Sequence, residues 1–229
     1  MRDNPVFSSQ TDATDSVLST NKVLRNTYMM LAMTLMVSAI TAGLAMWMNL
    51  GYGSALIMML TAIVLICFVL PRTANSSSGI YVVFAFTALM GAALGPTLNY
   101  YLTMANGGEI VMQALGGTAL VFFSLSGYVL TTRKDFSFMG GFLMTGLVVL
   151  VMVSLALMLG SMFGYHMPAA SLALSAGIVL LMSGFILFDT SRIINGGETN
   201  YLMATVALYL DIYNLFTSLL HLLGVMNDD

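Results

Sequence analysis

Two acids stand where acids are costly. Asp189 lies in Leu187-Phe188-Asp189-Thr190 and Asp211 in Leu208-Tyr209-Leu210-Asp211-Ile212-Tyr213-Asn214, each within a long apolar run. An Asp at the centre of a membrane helix costs roughly 2.5–3.5 kcal/mol on insertion scales, so an acid retained there is read first as functional. The turn between the two runs is short, near Asn195-Gly196-Gly197. At a rise of 1.5 Å per residue, both acids fall roughly 8–14 Å below the same membrane surface, and antiparallel neighbours would bring them together. Two adjacent carboxylates cannot both ionise cheaply and titrate as a unit. The chemistry this suits is a proton-sensitive gate or a weak cation site. Calcium prefers about 6–8 oxygen ligands, so two acids and a few waters make a place of transit and not a tight store. The plainer alternative is that each Asp only hydrogen-bonds a neighbouring helix.

Further polar residues surround this pair. Asp211, Asn214, Ser218 and His221 recur on one helical face. They would line a hydrated path leading away from the acids, or form a hydrogen-bonded seam between helices. Arg72, at the end of another apolar run, would snorkel to lipid headgroups or reach inward as a counter-charge. Glu109 suits a helix N-terminus and Glu198 a solvated loop. Gly91, Gly95 and Pro96 read as a close helix contact with a kink. The 21 Met residues are scattered without a His or Cys partner cluster, so they read as packing and not as a copper path. The single cysteine, Cys67, excludes an intramolecular disulfide framework and a cysteine-cluster metal site. No catalytic site and no cofactor are expected. Asp211 stands in Tyr209-Leu210-Asp211, not in the Gly-x-Gly-Asp setting of an intramembrane aspartyl protease.

The elements that must hold these residues follow from composition. Of 229 residues, 59% are hydrophobic and 7% are charged, against roughly 25% charged in an ordinary soluble domain. Mean hydropathy is +0.92. This excludes a soluble enzyme and a nucleic-acid binder, and leaves a membrane protein. Seven apolar runs occur, at about residues 27–48, 54–70, 80–103, 110–131, 140–162, 168–191 and 202–224. Each is near the 20 or so residues a spanning helix needs, and too long for a barrel strand. The expected fold is therefore an all-α polytopic bundle of seven transmembrane helices.

The cations set its orientation. Arg2, Lys22, Arg25, Arg72, Arg133, Lys134 and Arg192 all fall on one side of such a bundle. The positive-inside rule makes that side the cytoplasm, with the N-terminus inside and the C-terminus outside. Residues 1–26 form a polar segment rich in Ser, Thr, Asp and Asn, expected to be a flexible cytoplasmic tail ahead of the membrane domain at 27–229.

The chain resembles the Bax inhibitor-1 family, also called the transmembrane Bax inhibitor motif family. The resemblance is carried by Gly95-Pro96-Thr97-Leu98, Arg133-Lys134-Asp135-Phe136-Ser137-Phe138, Phe188-Asp189-Thr190 and the run from Leu208 to Phe216. The segments Leu18 to Tyr28, Gly116 to Phe123 and Gly196 to Tyr201 are similar to the bacterial YccA-like branch. This implies a multi-pass protein of the bacterial inner membrane. It also implies association with the membrane-anchored ATP-dependent protease FtsH, with the N-terminal tail as the segment engaged. For the channel branch, the resemblance implies a pH-sensitive leak of calcium or protons, with Asp189 and Asp211 as the acid pair and Arg72 near the position of its arginine.

Overall fold

A computed structural model of the chain describes residues 5–227, with side chains from residue 20 onward. Residues 1–4, and the side chains of the rest of the polar segment up to residue 19, lie outside that description. The described backbone is helical with no strand. Seven helices are long and apolar enough to cross a membrane. They are α1 (Pro5–Trp47), α2 (Tyr52–Thr73), α3 (Ser78–Leu102), α4 (Gly107–Thr132), α5 (Gly140–Met162), α6 (Pro168–Ile194) and α7 (Tyr201–Met226). The membrane-crossing part of α1 starts at Thr20. Its helix continues through residue 26 without a backbone break, so the polar-to-apolar boundary is one of composition. In lipid every backbone group must be paired within its own segment, and uninterrupted helices satisfy that demand.

The interruptions have local causes. Pro71 has no N–H to offer the Cys67 carbonyl, and α2 widens ahead of it into a π-type turn over Leu65–Val69. In α3, Pro96 removes the bond to the Ala92 carbonyl, yet the helix carries on, because α1 braces it there. A Cβ on Gly91 would lie 2.3 Å from the Ser38 carbonyl oxygen, and one on Gly95 would lie 2.6 Å from the Ala45 Cβ. The two glycines, four residues apart, are what lets α1 and α3 touch backbone to side chain.

The bundle is organised around α7, which packs against α1, α3, α4 and α6. Leu208, Leu215 and Leu220 on it are fully buried. By contrast α2 leans on α3, and α5 on α6; only 6% of the most apolar stretch of α5 is buried, against 44% for α7. A chain of hydroxyls fastens the centre. Ser38 Oγ donates to the Thr87 carbonyl at 2.7 Å. That leaves its lone pair to accept from the Tyr209 hydroxyl, also at 2.7 Å. The Tyr209 ring meets Phe86 edge-on, with centroids 5.6 Å apart. Helices α1, α3 and α7 are thereby tied at mid-depth. Alternation of direction places Lys22, Arg25, Arg72, Arg133, Lys134 and Arg192 at one end of the bundle, called here the basic end.

Candidate functional site

Asp189 and Asp211 are brought together. The antiparallel pair α6 and α7 turns both carboxyls inward, leaving Asp189 8% and Asp211 5% exposed. Their side chains lie within hydrogen-bonding reach of each other. A hydrogen bond between two carboxyls requires a proton carried by one of them. Among the described residues, no backbone N–H, amide or hydroxyl donates to Asp211 Oδ2. Asp189 is held from the other side: Arg192 Nη1 stands 3.6 Å from Asp189 Oδ1. The same guanidinium reaches Glu198 Oε2 at 3.3 Å and stacks over the Phe188 ring at 5.5 Å. One cation therefore links the buried pair to the turn between α6 and α7.

The other sequence candidates are placed as follows. Arg72 does not join the acids. It is exposed at the basic end, and its Nη1 donates to the Phe68 carbonyl of its own helix. The cation beside the pair is Arg192, which the i, i+3 spacing from Asp189 places on the same helical face. Asn214 turns its amide back onto the Leu210 carbonyl at 2.9 Å. Ser218 is buried. His221 Nδ1 meets the Ser175 hydroxyl of α6 at 3.0 Å, an interhelical bond well away from the acids. Among the described residues, no cluster of three or more His, Cys, Asp and Glu side chains is present.

The family described as Inhibitor of apoptosis-promoting Bax1 matches residues 20–228. The chain belongs to the Bax inhibitor-1 family. It is 50% identical over 224 residues to the Escherichia coli K12 protein called Modulator of FtsH protease YccA, covering 98% of this chain and 99% of that one. The E. coli O6:H1 relative, with the same identity and coverage, is called Inner membrane protein YccA. A Vibrio cholerae membrane protein is 50% identical over 226 residues, with 98% of each chain covered.

In this Bax inhibitor-1 family chain the family-like segments at the basic end are structural fasteners. The Ser191 hydroxyl of α6 accepts from the Phe136 N–H at 2.8 Å and donates to Asp135 Oδ1 at 3.4 Å, docking the α4–α5 loop two residues from Asp189. Asp135 also accepts from the Ser137 N–H at 2.8 Å. Bonds from the Ser137 side chain and backbone, and then from Ser191, hold the Asp135 carboxyl below the ordinary carboxylate range. A carboxyl depressed in the folded state adds stability above its unfolded pKa and loses it as pH falls through the folded value. Asp135→Asn should therefore lower thermal stability slightly at neutral pH. The gap to wild type should close in melts taken well below about pH 3.9, the unfolded Asp value.

Within the Bax inhibitor-1 sequence, two hydroxyl clusters gave no signal in advance. Tyr28 hydrogen-bonds Ser126, which meets Thr190 at 3.4 Å; the other is the Tyr209–Ser38 pair described above. Hydroxyls inside apolar runs are common, and spacing alone does not say which distant one each will meet.

Proposed function

We propose that the protein is a non-enzymatic modulator of an FtsH-type membrane-anchored protease in the bacterial inner membrane. The observation that carries this is the 50% identity, over 98% of the chain, to a protein named as such a modulator. Inner-membrane residence follows the name of the second E. coli relative and the seven span-capable helices. The basic end faces the cytoplasm by the positive-inside rule. The polar N-terminal segment, attached at that end, serves as the handle that an ATP-driven protease grips. Co-purification from membranes should recover the protease with the full chain. Removing residues 2–20 should slow or abolish protease-dependent turnover of the chain itself. Absence of the protease from the purified material, together with unchanged turnover, would count against the proposal.

The facing carboxyls of Asp189 and Asp211 favour a second reading, a pH-sensitive leak for calcium or protons. Arg192, not Arg72, is then the counter-charge beside the gate. Calcium flux into liposomes, measured on both sides of neutral pH, should depend on pH for the wild type. For Asp211→Asn that dependence should be lost. Equal and pH-independent fluxes in the two proteins would remove this reading.

A further inference from the structure

A groove of about 440 Å³ runs between α1 and α4, floored by α7. At the basic end the two helices meet through Tyr28, which bonds Ser126 and leans on the Phe122 ring with centroids 6.2 Å apart. Beyond that contact their backbones do not approach each other. The walls extend from Leu35 to Met46 on α1 and from Val111 to Phe123 on α4, over Ile212 and Phe216 of α7 and Leu98 of α3. The rim residues Ala39, Gly43, Leu115 and Ala119 are exposed, so the groove opens sideways into the bilayer.

We propose that this groove is a binding site for one acyl chain of a membrane lipid, from the leaflet at the end of the bundle opposite the basic residues. Length supports that occupant. Leu35 to Met46 spans roughly 16 Å at 1.5 Å per residue, about half of the 30 Å or so of hydrocarbon in a bilayer. The groove thus starts near the midplane and runs out through one leaflet. A spanning helix of another protein does not fit, because it must cross the whole thickness at a diameter of about 10–12 Å, and the Tyr28–Ser126 contact joins the two helices on the basic-end side of the groove. Water does not suit it either. Ser38 donates to the Thr87 carbonyl and accepts from Tyr209, and Thr118 donates to the Ala114 carbonyl at 2.7 Å. The Tyr213 hydroxyl then remains on an otherwise apolar lining, whereas a buried water takes about 2–4 polar partners.

The test uses the full chain purified with a tracer phosphatidylcholine that carries a diazirine midway along one acyl chain. Bulk lipid is removed by gel filtration before irradiation, and adducts are located by peptide mass spectrometry. The wild type should carry adducts on the segments around Ala39–Met46 and Leu115–Phe122. The outward face of α5 around Val148–Met152, equally apolar but convex to lipid, should be washed clean. A Cβ on Gly43 meets nothing within 4 Å, so Gly43→Phe fills the groove, as does Ala119→Phe from the other wall. Each should cut groove adducts by at least about tenfold, the change that about 1.4 kcal/mol of lost binding gives. Groove labelling of the wild type no higher than that of α5 overturns the proposal, and this comparison needs no variant. So does undiminished groove labelling in a variant that elutes as a single folded species.

Discussion

Gly91→Leu is expected to leave little folded protein. A Cβ at this position would sit 2.3 Å from the Ser38 carbonyl oxygen and 2.5 Å from the Ser38 Cα. Both are backbone atoms of α1, which cannot rotate aside as a side-chain tip would. Overpacking typically costs about 1–3 kcal/mol and more where backbone must shift; a whole isobutyl group on this contact belongs above about 3 kcal/mol. The damage spreads, because Ser38 also holds the Thr87 carbonyl and the Tyr209 hydroxyl, so parting α1 from α3 unties α7. Denaturant titration in mixed micelles would read the loss. Gly141→Leu is the control: its added Cβ meets nothing within 4 Å, and it should stay within about 0.5 kcal/mol of wild type. Equal stability of the two variants would contradict the close α1–α3 contact.

Asn200→Ala should cost about 2 kcal/mol. The Asn200 side chain accepts from the Leu202 and Met203 N–H groups at 2.9 and 3.2 Å, capping the helix at the centre of the bundle. Its amide also donates to the Ala74 carbonyl and to Asn75 Oδ1, both at 3.0 Å, tying the loop after α2 to the start of α7. Losing an N-cap costs about 0.5–2 kcal/mol, and each further hydrogen bond about 0.5–1.5 kcal/mol where it is shielded from water. Asn200→Asp keeps the acceptor and removes the donor, so it should recover the capping part alone. If Ala and Asp variants unfold at the same denaturant concentration, the cap contributes nothing.

The spans were legible because a bilayer fixes how long an apolar run must be. The largest boundary difference is at α1, where the apolar run starts near residue 27 but the crossing helix reaches back to Thr20. Polar residues such as Asn21, Lys22 and Arg25 continue a helix into the headgroups without changing its conformation. The burial of Asp189 and Asp211 was legible for a related reason, since acids are too costly in hydrocarbon to face it. Arg72 was the expected counter-charge, not Arg192, although Arg192 stands three residues from Asp189 on the same helical face. Both end an apolar run at the basic end, and depth alone does not give the direction a long side chain takes. Tyr209 and Ser38 are 171 residues apart, and no local pattern links them. Asn200 reads as a loop residue, although its double role becomes plain once α7 is seen to start beside the loop after α2.

The peripheral setting of α5 bears on how its sequence is free to change. A helix that touches one neighbour within the chain and otherwise turns apolar side chains outward is constrained by oiliness more than by fit. Exchanges among Leu, Val, Met and Ile along its outer surface alter no fitted contact, while the same exchanges on α7 disturb several at once. Over generations, α5 should drift in identity while keeping its oiliness, and α7 should hold nearly still.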